Sequence, residues 1–179
     1  MRTFIALELP PDFASDIAAI SRRLKPSIEG RFLFPESYHL TLAFLGDTSE
    51  TDLACAIDAI DVSCTNIAAI PLRSDGLGKF GRANDATLWL GIAPAPELMQ
   101  LSANIREELA ARAVPFDGKP FKPHITFARR ARIPKADLPP LAFPQDDEAT
   151  AVTLFRSTLG RDGAAYKPLH SVELAAGRP

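Results

Sequence analysis

Tyr38-His39-Leu40-Thr41-Leu42-Ala43-Phe44-Leu45-Gly46 reads as a core strand into which two polar side chains are set. A strand sends alternate side chains to opposite faces, so His39 and Thr41 share one face and Leu40 and Leu42 the other. The apolar face belongs to a core, and the polar face is aimed at something polar. Downstream, Lys122-Pro123-His124-Ile125-Thr126-Phe127-Ala128-Arg129 repeats the device on a second predicted strand. The chain has 3 histidines, and these two are followed at the same spacing by threonine. His170, in Pro168-Leu169-His170-Ser171, has no such partner and is expected at the surface or a rim.

What precedes each motif is also alike. Thr3 to Leu9 predicts a strand, and Pro10-Pro11-Asp12 opens a helix with Phe13, Ile17, Ile20 and Leu24 on one face. Ala86 to Ile92 predicts another strand, and Pro96 opens a helix with Leu98, Leu101, Ile105 and Leu109 as its stripe. Strand, proline-started helix and His-x-Thr strand thus run once from Thr3 to Leu45 and again from Thr87 to Ala128. Two halves packed about a pseudo-twofold axis would bring His39 and His124 to opposite walls of one cleft. Between and after them, the pattern predicts a strand at Phe32–Phe34 and a helix over Ser49–Ile60. That helix has Ser49 and Asp52 at capping-box-like spacing and a Leu53, Ile57, Ile60 stripe. A strand at Ile67–Arg73, a loop at Asp75–Arg82 and a proline-rich connection at Pro134–Pro144 follow. A hairpin of Ala151–Leu159 and Ala165–Leu174 around Gly160-Arg161-Asp162-Gly163 ends the reading.

With 179 residues and 46% hydrophobic content, the chain can build one sizeable core or two small lobes that share one. The apolar run at the start is broken by Glu8 and two prolines, too short for a signal peptide or a membrane span, so a cytoplasmic protein is expected. Cys55 and Cys64 have no CxxC pattern and no nearby histidine, which predicts two reduced thiols on or near a helix. A net charge of −2 argues against a protein that coats nucleic acid non-specifically. Locally the balance differs: Lys119, Lys122, Arg129, Arg130, Arg132 and Lys135 crowd around the second motif.

Two histidines on one substrate can divide general base and general acid work, because imidazole titrates near neutral pH. The threonines offer hydroxyl donors to an anionic oxygen, and Arg129 adds a charged donor. A phosphodiester suits such a site, with water attacking phosphorus on one side and a ribose oxygen leaving on the other. Against a metal site, no HxH, HxxH or HxxxH spacing occurs, and no carboxylate lies beside either motif on its strand face.

The paired His-x-Thr motifs resemble those of the 2H phosphoesterase superfamily, and their surroundings resemble its RNA 2′,3′-cyclic phosphodiesterase branch, also called 2′-5′ RNA ligase-like. The matching pieces are Phe4-Ile5-Ala6-Leu7, His39 to Gly46, Leu88-Trp89-Leu90, Pro123 to Arg129, and the Leu154–Tyr166 hairpin with Ser157, Leu159, Gly163 and Tyr166. The resemblance implies an α+β, bilobal 2H phosphoesterase fold, with two pseudo-symmetric lobes whose antiparallel sheets face a central cleft. Residues 1–179 then form a single domain of two intertwined lobes. It implies metal-independent hydrolysis of RNA 2′,3′-cyclic phosphate ends to 2′-phosphomonoesters, with reversible 2′-5′ joining in some relatives, no cofactor, and a monomer. His39 and His124 match the catalytic histidines, His39 as acid to the 3′ oxygen and His124 as base to water. Thr41, Thr126 and Arg129 match the phosphate-binding groups. Phe80 is either a stacking platform for a base or a loop anchor. Phe32 stands where the family often has tryptophan, and Gly78-Lys79-Phe80-Gly81-Arg82 lacks a proline common after the phenylalanine. Two other readings are open: a 2H enzyme for a small cyclic nucleotide or ADP-ribose cyclic phosphate, and a non-catalytic binder of RNA ends.

Overall fold

Alternation, turn residues and helix-starting prolines translate directly into elements in the computed structural model, which describes residues 1–175. The opening apolar run forms β1 (Arg2–Glu8), and the prolines after it start α1 (Pro11–Leu24), which buries Phe13, Ile17, Ile20 and Leu24 as predicted. Next come β2 (Glu29–Phe32), a single 3-10 turn (Pro35–Ser37), β3 (His39–Asp47) and α2 (Glu50–Cys64). The second half adds β4 (Ile70–Leu72), β5 (Ser74–Arg82), β6 (Asp85–Ile92), α3 (Pro96–Ala111) and β7 (His124–Arg132). It closes with β8 (Asp147–Ala149) and the hairpin of β9 (Ala151–Gly160) and β10 (Gly163–Glu173).

The result is α+β, with two four-stranded antiparallel sheets in the orders β10-β9-β1-β3 and β2-β7-β6-β5, and a small β4-β8 pair. The two halves of the sequence repeat are equivalent in this topology. β1 pairs antiparallel with β3 in the first sheet, as β6 does with β7 in the second. The sheets approach each other along β3 and β7, the two strands that carry the motifs.

The helices cross between halves. α1, from the first half, packs behind β7 of the second sheet, while α3, from the second half, packs behind β3 of the first. Leu24 of α1 is buried with Leu88 and Phe127, and Leu101, Ile105 and Leu109 of α3 are buried with Leu40 and Leu42, all in one core. Each half thus covers the other's apolar sheet face, which neither could bury alone.

Four local readings are corrected. The Asp75–Arg82 segment is a strand, not a loop, because β6 supplies its hydrogen-bonding partner from Leu77 to Arg82. Its glycines also admit a close neighbour: a Cβ on Gly78 would lie 2.1 Å from the Trp89 ring. β2 lies earlier than Phe32–Phe34, since pairing with Arg129 and Arg132 of β7 sets its register. β4 is shorter than Ile67–Arg73, and β8, its partner, has no alternation to announce it. In α2 the buried face is Ala56, Ala59, Ile60, Ser63 and Cys64, with Leu53 and Ile57 only partly buried, because small residues let α3 approach closely. Ser49 does cap α2, accepting from the Asp52 N–H at 3.0 Å and donating to its carboxylate at 2.8 Å. Cys55 and Cys64 are free, and burial pushes the Cys64 thiol up to about 11.

Candidate active site

The two motif strands carry the same irregularity at the same place. In β3, Ile5 faces Ala43 and Ala6 faces Thr41, so Leu42 is an extra residue; in β7, Leu88 faces Ala128 and Trp89 faces Thr126, so Phe127 is the extra one. A bulge shifts the alternation by one residue. His39, Thr41 and Phe44 therefore share the cleft face, and His124, Thr126 and Arg129 share its counterpart, while Leu42, Ala43, Phe127 and Ala128 are all buried. Strict alternation would have turned Phe44 and Arg129 toward the core. The carbonyls freed by the bulges find other donors: that of Leu42 accepts from Ser102 Oγ at 3.1 Å and Arg106 Nε at 3.2 Å, and that of Phe127 from the Leu33 N–H at 2.9 Å.

The histidines are held in matching ways. His39 Nδ1 lies 2.8 Å from the Ser37 carbonyl and His124 Nδ1 2.5 Å from the Lys122 carbonyl, in each case two residues upstream. A carbonyl only accepts, so Nδ1 carries the hydrogen and Nε2 is the basic atom of both rings. Aromatic neighbours fix the ring planes. His39 stacks on Phe4 at 4.6 Å and meets the edge of Tyr166 at 5.2 Å, while His124 meets Phe80 edge-on at 5.0 Å and Trp89 at 5.7 Å.

Burial makes the pair unequal. The His39 ring is held down to about 4, mainly because its charged form loses hydration, with Arg129 and His124 adding repulsion. His124 is also lowered, first by burial and then by Lys122 and Arg129, against the opposing pull of the Lys122 carbonyl. Arg129 thus acts on both rings, and it has no carboxylate partner among the described residues.

Two cavities meet at Thr41 and Phe44. One, of about 410 Å³, lies on the His39 side and is lined by Arg2, Arg31, Phe34, Arg129, Leu159 and Tyr166 among others. The other, of about 480 Å³, lies on the His124 side with Phe80, Arg106, Lys119, Phe121 and Lys122. Thr126 is half-buried beside His124 on the cleft face but lines neither cavity. Phe80 is 41% exposed and packs on Trp89 at 5.2 Å, so it is an exposed face on a supported ring rather than a loop anchor. His170 stands apart, half-buried, with Nε2 2.6 Å from Asp61 Oδ1 of α2. Among the described residues no group of three His, Cys, Asp or Glu side chains gathers where it could hold a metal ion.

Sequence reading missed Phe44, which the bulge brings into the cleft, and Arg106, which α3 delivers from behind. Arg106 reaches both motifs: besides the Leu42 carbonyl, its Nη1 donates to the Lys119 carbonyl at 2.7 Å, in the loop leading to His124. The ring of Phe121 lies 5.7 Å from its guanidinium. No periodic signal marks either residue, because both depend on contacts between halves.

The chain is similar to known proteins in sequence and in fold. Residues 9–156 match the family model described as the 2′-5′ RNA ligase superfamily. The chain is 31% identical to the RNA 2′,3′-cyclic phosphodiesterase of Thermus thermophilus, over 97% of this chain and 90% of that one. In fold it is similar to TT0787 of Thermus thermophilus, with TM-score 0.84, 27% identity and coverage of 99% and 100% of the two chains. It is similar also to E. coli LigT complexed with 3′-AMP, with TM-score 0.77, 30% identity and 97% of each chain covered.

Proposed function

Because the chain belongs to the 2′-5′ RNA ligase superfamily, we propose that it is an RNA 2′,3′-cyclic phosphodiesterase working with one domain and two histidines. The observation that carries this reading is the doubled arrangement: two histidines on corresponding strands, each with Nδ1–H locked to the carbonyl two residues upstream and each with a threonine on its face. Such a pair can act on one phosphorus from two sides. The E. coli LigT structure with 3′-AMP is consistent with a nucleotide phosphate as its ligand.

In this reading Thr41 and Thr126 donate to the phosphate oxygens, and Arg129 supplies a charged donor that stabilises the extra negative charge of the transition state. His124 takes a proton from water as its oxygen bonds to phosphorus. The P–O3′ bond breaks, His39 gives its proton to O3′, and a 2′-phosphomonoester remains. Burial makes His39 hold its proton weakly, and a phosphate anion against its ring favours the charged form. Phe80 offers its exposed face to a base. Joining fits the same site if a 5′-hydroxyl replaces water, since cavities lie on both sides of Thr41.

The test is incubation in excess EDTA with a short RNA ending in 2′,3′-cyclic phosphate, with 2′- and 3′-phosphate products resolved. Conversion to the 2′-phosphate is expected. No conversion with binding retained would indicate a holder of RNA ends, and turnover of small cyclic nucleotides alone would move the substrate class. His39→Ala and His124→Ala should each lower the rate by roughly 10²–10⁴-fold, the span of general acid–base catalysis. A substrate with sulfur at the 3′ bridging position separates the roles, because a thiolate leaves without a proton. It should rescue His39→Ala and not His124→Ala; the reverse pattern would exchange acid and base.

A further inference from the structure

The cavity beside His39 holds more positive charge than one phosphate needs. Arg2, Arg31 and Arg129 all line it, and among the described residues none of them has a carboxylate oxygen within salt-bridge distance. Asp162 lines the same cavity without pairing with any of them. On the His124 side the cations are already engaged. Arg106 is bonded to two carbonyls, Lys119 lies 3.5 Å from Asp117, and the Lys122 ammonium stands 4.7 Å over the Trp89 ring. On the His39 side Arg2 lies 4.9 Å over the Phe44 ring, a contact that leaves its in-plane N–H groups free to donate. Guanidinium groups without carboxylate partners on one concave wall are what a second phosphate requires.

The rim of that cavity is apolar and open. Phe34, just before the 3-10 turn, is 67% exposed, and Leu159, near the tip of the β9–β10 hairpin, is 84% exposed. Phe34 follows β2 of one sheet and Leu159 lies near the end of β9 of the other, and the two line one space. Gly163 closes it: a Cβ there would lie 1.9 Å from Arg31 Nη2, so the hairpin backbone lies against the guanidinium, and its φ of +122° is a conformation that glycine adopts without strain. Exposed apolar side chains beside free arginines are a poor surface for water and a good one for a stacked base next to a phosphodiester.

Resting on the phosphodiesterase reading, we propose that this cavity is a subsite for the nucleotide preceding the cyclic-phosphate end. Arg31 and Arg2 hold its phosphodiester, and its base lies between Phe34 and Leu159. The preferred substrate is then an RNA strand end rather than a free cyclic mononucleotide.

The test compares kcat/KM for adenylyl-(3′→5′)-adenosine 2′,3′-cyclic phosphate and for adenosine 2′,3′-cyclic phosphate. A preference for the dinucleotide on the order of tenfold or more is expected, the size of one gained stacking and phosphate contact. Arg31→Ala and Phe34→Ala, both at exposed positions, should each bring the ratio toward one, whereas Lys122→Ala should not. In the unaltered protein, salt should weaken dinucleotide turnover more steeply than mononucleotide turnover. Equal turnover of both substrates, or a ratio lost on Lys122→Ala and kept in Arg31→Ala and Phe34→Ala, overturns the placement. Turnover of neither substrate overturns the phosphodiesterase reading itself.

Discussion

His39 is more deeply buried than His124, and this governs how the pair titrates. In the proposed mechanism the productive state has one ring neutral and one protonated, so kcat/KM should trace a bell between the pair's two apparent values. With His39 at about 4 and His124 held below its usual 6.5, the maximum for the free enzyme is expected below pH 6.5, with kcat shifted upward once phosphate is bound. Initial rates across pH 4–8 check this, and a maximum of kcat/KM above pH 7 would contradict it. Stability follows the same shift. The unfolded His39 binds its proton first as pH falls below 6.5, so the folded state loses stability down toward pH 4 and gains nothing above 6.5. His39→Gln removes that loss, amounting to about 2 kcal/mol by pH 5, which urea unfolding at pH 7.5 and 5 would reveal. On the same proposal, Thr41→Val and Thr126→Val each remove a hydroxyl donor to the phosphate and should lower kcat/KM by the equivalent of roughly 1–3 kcal/mol of transition-state binding, read from steady-state rates.

At the scale of elements, the paired bulges at Leu42 and Phe127 turn two ordinary core strands into site walls. α3 supports the first bulge through Arg106, which also bonds the loop before His124, so one side chain joins both motifs. Arg106→Met keeps the apolar stem and removes both bonds. It should reduce kcat more than KM, roughly tenfold or more, while Arg106→Lys, lacking the fork, should recover only part of the rate. Steady-state kinetics on the two variants test this; unchanged kcat in Arg106→Met would remove the positioning role. Trp89 supports the second wall by lying across Gly78 and against His124. Gly78→Ala must push the indole aside, and a red-shifted, quenched Trp89 emission with slowed turnover is the expected result.

Over the whole molecule, α1 and α3 each cover the sheet of the other half, which makes separate unfolding of either half unfavourable. Denaturant unfolding followed by Trp89 emission, which reports the second sheet, should coincide with far-UV circular dichroism, which reports both. An earlier Trp89 transition would show the sheets to be independent. Among the described residues no helix is long and apolar enough to cross a membrane. Much of this architecture is legible in the chain. The proline-started helices, the α1 and α3 stripes, the hairpin and the two His-x-Thr strands all follow from local periodicity and turn chemistry, which act within a few residues. The sequence by itself determined that His39 pairs with Thr41 and His124 with Thr126 on one strand face each, because alternation is a property of the extended backbone. Tertiary structure alone decided that β5 is a strand, that Phe44 and Arg129 turn into the cleft, and that Arg106 ties the motifs together. Each of these rests on a partner far away in the chain: a bulge exists only against a neighbouring strand, and a freed carbonyl selects its donor only once the halves have crossed.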